Sequence, residues 1–318
     1  MERHAALEAL PRGIRVVATI GAFDGVHRGH AALIARLVDA AAAARAEPVV
    51  VTFAPHPAAV LRGAAPALLC DPAERDARLA GLGVAHLVVE PFDADLADQT
   101  AEDFIGRLQA GRQLAAIVMT RGSAFGRGRG GTFDAMTALG SQSDFEVVEQ
   151  PELRLAGGPV SSSRIRAAVA HGRLVEARRL LGRRPAVTGV VVHGDGRGRT
   201  LGFPTANLGF AAAVALPPDG IYAVRTTWSD GADADPTAWQ RHADGVASLG
   251  VRPTFGVGGR VLEVHLFDID EDLYDRQLRV AFVRRQRGER RFTSPAALID
   301  AMHQDVVVAR RLLSASSG

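Results

Sequence analysis

Hydrophobic positions in the first half of the chain follow two alternating patterns. Short segments rich in apolar and β-branched residues are typical of strands buried on both faces, and they occupy residues 14–20, 48–53, 86–90 and 115–119. Apolar positions at helical spacing predict helices, at residues 31–45, 73–82, 101–108, 161–170 and 174–181. Strands that alternate with helices favour a parallel sheet built from βαβ units.

The pattern changes near residue 183, within a Gly-Arg-Arg-Pro segment. Beyond it, Gly and Pro separate short segments typical of antiparallel strands, at residues 186–192, 220–227, 245–249, 261–267 and 278–284. Such strands predict a small antiparallel β-barrel, and the helical spacing of residues 295–313 predicts a terminal helix. We therefore expect an α/β domain over residues 1–183 and a barrel domain over residues 184–318.

Composition agrees with two folded domains. The chain has 318 residues, of which 47% are hydrophobic, and this fraction excludes intrinsic disorder. No apolar run reaches the length of a membrane helix, so we expect no membrane partner. The first residues lack the apolar stretch of a secretion signal, so we expect a cytoplasmic location. The single cysteine, Cys70, excludes an internal disulfide and a cysteine-based zinc site.

All 37 basic residues are arginine, and the formal net charge is only +2. The absence of lysine excludes P-loop and Schiff-base mechanisms, which both depend on a lysine side chain. A GC-rich genome accounts for this bias and for the abundance of alanine. Because the arginines form no single basic block, we expect no nucleic-acid partner.

The sequence GAFDGVHRGH, from Gly21 to His30, lies between the first predicted strand and helix. A helix N-terminus binds phosphate because its N–H groups are free and its dipole end is positive. The imidazoles of His27 and His30 flank Gly29, and glycine lets a nucleotide approach the backbone. This pattern indicates a site that stabilises a pentavalent phosphorus and a leaving pyrophosphate. A metal pair or two surface histidines are the alternatives.

A second pattern of interest opens the predicted barrel. Glycines at positions 194, 196, 198 and 202 precede the sequence Pro-Thr-Ala-Asn, and no Walker motif is present. Thr205 and Asn207 are one residue apart, so in an extended segment they project to the same side. Their neutral oxygens suit Mg²⁺ bound together with nucleotide phosphates. The glycine loop alone would also fit an ordinary hairpin.

The segment from Gly21 to His30 resembles the signature of the bacterial bifunctional riboflavin kinase/FMN adenylyltransferase family, within the wider HxGH nucleotidyltransferases. Similar segments follow in the same order: TFAPHP at 52–57, the Phe125-Gly126 pair with its Arg-Gly run, and VSSSRIR at 160–166. The second half is similar to the flavokinase signature, in GDGRGRTLGFPTANL at 194–208, GVASLGVRPT at 245–254, LEVH at 262–265, DLYD at 272–275 and RRFTS at 290–294.

This resemblance implies a Rossmann-like nucleotidyltransferase domain and a riboflavin kinase-like barrel with a terminal helix. The implied activities are ATP-dependent phosphorylation of riboflavin to FMN, then adenylylation of FMN to FAD with release of pyrophosphate. The implied ligands are riboflavin, FMN, ATP and Mg²⁺. We expect a monomer or a weak homo-oligomer.

The resemblance also implies roles for individual residues. Glu263 is the catalytic base of the kinase, and His27 and His30 are the catalytic residues of the adenylyltransferase. The implied ATP and phosphate ligands are Gly21, Phe23, Asp24, Gly29, Ser161, Ser162, Arg164, Arg166, Gly194, Gly196, Gly198, Thr205 and Asn207. The implied metal ligands are Thr205 and Asn207, and the implied flavin-binding residues are His56, Phe125, Arg291 and Phe292.

The residues alone leave several of these roles open. They do not distinguish Glu263 from Glu271 or Glu289 as a base. The serines at 161–163 also fit a helix N-cap, and His56 also fits an ordinary loop position.

The chain departs from the family pattern at Gly122 and Ser123, where an acidic or amide residue and a phenylalanine are usual. Loss of a stacking aromatic weakens flavin binding by about 1 kcal/mol. Ser248, where asparagine is usual, is a milder departure. Three alternatives follow: a kinase with a weak or altered adenylyltransferase module, a non-catalytic nucleotide-binding first domain, or a transferase for another small phosphate ester.

Overall fold

A computed structural model describes residues 1–194, 196, 198, 201–229, 235–251 and 260–315. Spatial contacts divide the chain into two compact units. The first contains Met1–Pro66 and Arg75–Ser162, and the second contains Ala67–Glu74 and the described residues from Ser163 onward. The domain boundary expected between residues 183 and 184 separates the two predicted activities, and it stays a prediction.

The first unit is built on a six-stranded sheet in which every neighbouring pair is parallel. Its strands are β1 (Glu2–His4), β2 (Arg15–Ile20), β3 (Glu47–Ala54), β4 (His86–Pro91), β5 (Gln113–Met119) and β6 (Glu146–Glu149). They are arranged in the order β1-β4-β3-β2-β5-β6. The predicted parallel sheet is therefore confirmed. Its two edge strands, β1 and β6, were not predicted, and neither carries a long apolar run.

Helices connect these strands, and a short hairpin follows the sheet. The helices are α1 (Arg28–Ala44), α2 (Pro57–Arg62), α3 (Pro72–Gly81), α4 (Ala94–Asp98), α5 (Ala101–Gln109) and α6 (Phe133–Ser143). The hairpin strands are β7 (Arg154–Leu155) and β8 (Gly158–Pro159). Two helices then lead to the barrel, α7 (Ser162–Ala170) and α8 (Leu174–Leu181). No helix among the described residues is long and apolar enough to span a bilayer.

Both faces of the sheet are buried. Val16 and Ala18 of β2 pack with α5 residues such as Ile105 in one core, whereas Val17 packs with Ile34 and Leu37 of α1 in another. A parallel sheet is covered on both faces because its crossover helices lie on them. Only the ends of its strands are therefore free to bind a ligand.

The second unit contains a closed six-stranded barrel with antiparallel pairing throughout. Its strands are β9 (Ala186–Val192), β10 (Ala206–Gly209), β11 (Gly220–Trp228), β12 (Arg241–Val251), β13 (Arg260–Leu266) and β14 (Gln277–Arg287). The order around the barrel is β10-β13-β12-β11-β14-β9. The predicted barrel is confirmed. β10 was predicted only as an extended segment because its four residues are too few to show a pattern.

Side chains along the barrel strands alternate between its interior and its outer face. In β13, Leu262, Val264 and Leu266 belong to the barrel core, while Glu263 and His265 between them are partly exposed. The terminal helix, α9 (Pro295–Ser314), confirms the predicted one and packs its Ala309 and Leu313 with Ala223. This helix therefore covers part of the outer face.

The segment Ala67–Glu74 belongs to the second unit although it lies early in the sequence. Leu68 forms a parallel bridge with Val214. The Glu74 side chain is 2% exposed and accepts two bonds from the Arg279 guanidinium, at 2.9 and 3.2 Å. The Arg183 Nε atom lies 3.3 Å from the same carboxylate. A buried carboxylate thus joins this segment to β14.

Candidate active sites

The HxGH sequence forms the turn between β2 and the N-terminus of α1. His27 is the N-cap of α1, and its Nδ1 atom accepts a hydrogen bond from the His30 backbone N–H at 3.2 Å. An N-cap acceptor satisfies one of the free N–H groups of the first turn and leaves others for a ligand. The helix begins three residues before the predicted start because His27 caps it there.

The two imidazoles stack on each other. Their ring centroids are 3.6 Å apart with an interplanar angle of 15°, and the Phe23 ring lies 5.1 Å from His30. The Nδ1 atom of His30 is buried and has no hydrogen-bond partner among the described residues. Burial, and then the adjacent His27, hold the pKa of His30 well below its ordinary value. A neutral His30 in this position can donate one hydrogen bond to an anionic ligand.

Side chains from two other segments hold the turn in place. The Thr52 hydroxyl donates to the Ala22 carbonyl at 3.1 Å, and the Ser162 hydroxyl donates to the Asp24 carbonyl at 3.0 Å. Phe23 has a φ of 49°, a left-handed value that is unusual for a bulky residue. Within the first unit, the structure therefore brings together parts of three segments that were singled out separately: residues 21–30, Thr52 and Ser162.

A cavity of about 250 Å³ lies next to this turn. It is lined by residues that follow or end β2 and β5, namely Ile20, Gly21, Ile117, Met119, Gly122, Ser123, Ala124, Phe125 and Arg129. The strand order reverses between β2 and β5, and ligands of open α/β sheets bind at such a crevice. Gly21 and Phe125 thus lie together here. His56 is not among the lining residues and instead caps α2, accepting from the Ala58 N–H at 3.1 Å.

The two departures from the family pattern, Gly122 and Ser123, also line this cavity. The Ser123 hydroxyl lies 2.8 Å from the hydroxyl of Thr120, and the Ser123 N–H donates to the Thr120 carbonyl at 3.0 Å. A compact polar turn therefore stands where the family pattern has an aromatic ring.

The two arginines of the 160–166 segment belong to the second unit, and their hydrogen-bond partners lie in the same unit. Arg164 donates to Glu176 of α8 at 3.0 and 3.2 Å, and the Arg166 Nε atom donates to the Ala67 carbonyl at 2.8 Å. Both contacts stabilise the segment around α7. Their role as phosphate ligands stays a prediction, as it does for Ser161 and Gly29.

In the barrel, three polar residues form a row across neighbouring strands. Asn207 of β10 pairs in register with Glu263 of β13, which in turn pairs with Ser248 of β12. Directly opposed residues in an antiparallel sheet project to the same face. Thr205 precedes Asn207 by two positions and, at strand spacing, projects to that face too. The predicted base and the predicted metal ligands therefore share one face.

The surroundings of Asn207 fit a bound cation. Its Oδ1 atom is buried and has no hydrogen-bond partner among the described residues. Gly194 lies so close that a Cβ atom there would overlap the Asn207 amide, and a Cβ on Gly198 would lie 3.1 Å from the Thr205 hydroxyl. Gly196 has a φ of +69°, which favours glycine. An amide oxygen and a hydroxyl oxygen are ligands that Mg²⁺ can bind together with substrate phosphates.

A cavity of about 360 Å³ lies over the same face, beneath α9. Thr205, Ser248 and Glu263 line it, together with Phe203, Glu289 and Phe292. Glu271 lies elsewhere, in ion pairs with Arg241 and Arg276. The structure therefore narrows the three candidate carboxylates to Glu263 and Glu289.

Phe292, a predicted flavin-binding residue, lines this cavity, but Arg291 does not. Its neighbour Arg290 does, and both arginines are exposed. The role of Arg291 in flavin binding stays a prediction.

Sequence reasoning missed an ion pair that positions α9. Arg287 of β14 and Asp305 of α9 form a bidentate salt bridge, with N–O distances of 2.8 and 2.6 Å. Both residues line the cavity. Leu298 and Met302 of α9 also line it. The sequence contained a signal for this pair. Leu298, Met302 and Asp305 share one helix face, and a single acidic residue on an otherwise apolar face indicates a buried partner.

Parts of the predicted motifs lie outside the described residues. These are positions 195, 197, 199 and 200 of the glycine loop, and positions 252–254 of the 245–254 segment.

Comparison with known proteins accounts for both units. A family model described as FAD synthetase matches residues 11–164, and one described as riboflavin kinase matches residues 181–313. Proteins named bifunctional riboflavin kinase/FMN adenylyltransferase match nearly end to end. The one from Pseudomonas fluorescens is 38% identical, covering 95% of this chain and 94% of its own. The one from Bacillus subtilis is 32% identical, covering 94% of this chain and 92% of its own.

A solved structure has the same fold. It is named a macrolide-efflux protein from Streptococcus pneumoniae and superposes with a TM-score of 0.84 at 30% identity, covering 97% of this chain and 98% of its own.

Proposed function

This chain belongs to the bifunctional riboflavin kinase/FMN adenylyltransferase family, and from that membership we propose that it converts riboflavin to FMN and FMN to FAD. ATP is the co-substrate of both reactions. Family models match both halves of the chain, so a non-catalytic first domain is not favoured.

In the kinase reaction, Glu263 accepts the proton of the riboflavin 5′-hydroxyl as its oxygen attacks the γ-phosphorus of ATP. The products are FMN and ADP. A base within hydrogen-bond reach is required because an alcohol is a weak nucleophile. Thr205 and Asn207 would hold Mg²⁺, which supplies charge neutralisation for the phosphates when bound. Phe292 and the apolar side of α9 form a surface for the flavin ring.

In the adenylyltransferase reaction, a phosphate oxygen of FMN attacks the α-phosphorus of ATP, and pyrophosphate leaves. This nucleophile is already ionised, so the reaction needs no general base. The N–H groups at the start of α1 and the neutral His30 donate hydrogen bonds to the phosphates as charge moves onto the leaving group. Phe125 and the cavity beside it are positioned for the flavin.

The observation that carries this proposal is the register of Asn207, Glu263 and Ser248 on neighbouring strands, of which Glu263 and Ser248 line the 360 Å³ cavity. It combines a hard-oxygen donor set with a carboxylate beside a space for an organic ring. Mg²⁺, the absence of a nucleic-acid partner, the monomer or weak homo-oligomer and the cytoplasmic location stay predictions.

A product assay tests the proposal. The purified chain is incubated with riboflavin, ATP and Mg²⁺, and the flavins are separated by chromatography. We expect FMN to form first and FAD to follow. In a parallel sample, FMN replaces riboflavin, and FAD is expected directly. Formation of neither FMN nor FAD from riboflavin would contradict the kinase assignment, and no FAD in either sample would contradict the adenylyltransferase assignment.

A further inference from the structure

Two histidines and two glutamates cluster at the β1 edge of the parallel sheet. The His4 Nε2 and His86 Nδ1 atoms are 3.0 Å apart. A carboxylate oxygen of Glu2 lies 3.9 Å from that His4 nitrogen and 3.6 Å from that His86 nitrogen. Three donor atoms from three side chains therefore converge on one point.

Strand register produces this convergence. β1 pairs with β4 in parallel, and Glu2 is opposite His86. Glu2 and His4 are two positions apart, so they project to the same face of β1. His86 is the first residue of β4, which places the cluster at the amino ends of the strands. The turn between β2 and α1, which is the candidate phosphate site, lies at the opposite, carboxyl end of the strands. The cluster is therefore separate from that site.

A fourth residue orients the buried histidine. Glu47 bonds to the Nε2 atom of His86, whose side chain is only 6% exposed. A carboxylate in this position keeps the proton on Nε2 and leaves the Nδ1 lone pair directed at the cluster. Metal-binding histidines usually have such a carboxylate or carbonyl partner on their other nitrogen.

We propose that Glu2, His4 and His86 bind a divalent transition-metal ion of the Zn²⁺ type, with Glu47 as a positioning residue. Ligand atoms about 2.0–2.1 Å from a tetrahedral zinc ion lie roughly 3.3 Å from one another. The three observed separations, 3.0, 3.6 and 3.9 Å, bracket that value. Two imidazoles and one carboxylate suit Zn²⁺ better than Mg²⁺ or Ca²⁺, which prefer oxygen ligands, and a fourth position remains for water.

The position of the proposed site also has a structural consequence. A bound ion would join β1 to β4 through side chains as well as through the backbone. Without metal, the same geometry is a hydrogen bond between the two imidazoles, and the experiment distinguishes the two cases.

The test is a Zn²⁺ titration of the full chain, free of purification-tag histidines, stripped of metal and without nucleotide. A chromophoric chelator competes for the metal and reports affinity and stoichiometry. We expect one ion per chain, and Co²⁺ in its place is expected to show the intense visible bands of four-coordinate geometry. His4→Ala should weaken binding at least 100-fold, and Glu47→Gln should weaken it about 10- to 100-fold.

Two controls make the result specific. His242→Ala removes an exposed histidine of the barrel and should leave binding unchanged. His30→Ala tests the stacked histidines of α1 as a rival metal site and should also leave binding unchanged. Glu2 is 69% exposed, so we expect Glu2→Gln to leave the fold intact, and it provides a second ligand variant if His4→Ala fails to fold. No stoichiometric binding, binding unaffected by Glu2→Gln, or binding lost only in His30→Ala would overturn the proposal.

Discussion

The two candidate active sites handle the same phosphate chemistry with different structural means. In the first unit the candidate site is at the end of a sheet whose faces are both covered, so backbone N–H groups and a capping histidine are the groups available to a ligand. In the second unit the barrel leaves alternate side chains on its outer face, so a row of polar residues can stand along the strands. Sheet type thus decides whether strand ends or strand faces can build a site.

The two sites also differ in their charged groups. Glu263 and Glu289 line the cavity of the barrel, whereas the residues lining the cavity beside β2 and β5, all of them within the described ranges, include no carboxylate. An alcohol nucleophile needs a base, and a phosphate nucleophile does not. The distribution of acids therefore matches the two proposed reactions.

The largest expected effect separates the two sites through Glu263. Glu263→Gln should lower the rate of FMN formation about 10²- to 10⁴-fold because it removes the proton acceptor. FAD formation from supplied FMN should not change. Both rates are measured by chromatography of the flavins. Glu271→Gln, at an acid outside the larger cavity, is the matched control, and an equal fall of both activities would refute separate sites.

The reverse separation comes from His30. His30→Ala should lower FAD formation about 10²- to 10³-fold, since it removes a hydrogen-bond donor from the developing charge. Phosphorylation of riboflavin should stay within twofold of the original rate. His171→Ala, at an exposed histidine, serves as the comparison. An unchanged rate of FAD formation would remove His30 from the site.

A third change tests the stability of the second unit. Glu74→Gln leaves Arg279 and Arg183 without their buried carboxylate, and loss of one partner of a buried pair costs about 3–5 kcal/mol. The free energy of unfolding is measured with urea and followed by the fluorescence of Trp228 and Trp239, which both lie in the second unit. A loss below about 1 kcal/mol would show that the pair contributes little. Glu102→Gln, at an exposed glutamate of α5, provides the baseline.

A fourth prediction concerns pH and the first unit. The pKa of His30 is lowered in the folded chain, so the unfolded chain takes up this proton first as pH falls below about 6.5. Stability should therefore decrease on acidification from that value down to the folded pKa, by up to about 1.4 kcal/mol per pH unit. The free energy of unfolding is measured at pH 7.5 and at pH 5.5 by chemical unfolding followed with circular dichroism. A His30→Gln variant with the same pH dependence would contradict the assignment.

The smallest effect concerns the departure at residue 123. Ser123→Phe restores an aromatic ring beside the cavity, and stacking on the flavin should strengthen FMN binding by about 1 kcal/mol, or roughly fivefold. The dissociation constant is measured by fluorescence titration. Ser141→Phe, on the exposed side of α6, is the control for nonspecific flavin binding. Weaker binding by Ser123→Phe would show that the Thr120–Ser123 turn itself is needed.

Sequence patterns predicted most of the long elements of both units, because buried strands and amphipathic helices repeat the same spacing over many residues, but they did not predict the 11-residue helix α6. They missed β10, whose four residues carry the important Asn207. The motif at residues 21–30 was assigned to a helix start, but the stacking of its imidazoles depends on three-dimensional geometry. Likewise, the choice of Glu263 and Glu289 over Glu271 required the strand register and the ion pairs of Arg241 and Arg276.

The position of residues 67–74 limits how the two halves of this chain can be separated or joined to other proteins. A fragment that starts at residue 184 would carry Arg279 without Glu74, and Val214 without its bridge to Leu68. The carboxyl-terminal half is therefore not a freely exchangeable cassette. A gene fusion or a chimera would preserve the barrel better if it retained this early peptide than if it were cut at the point where the sequence pattern changes.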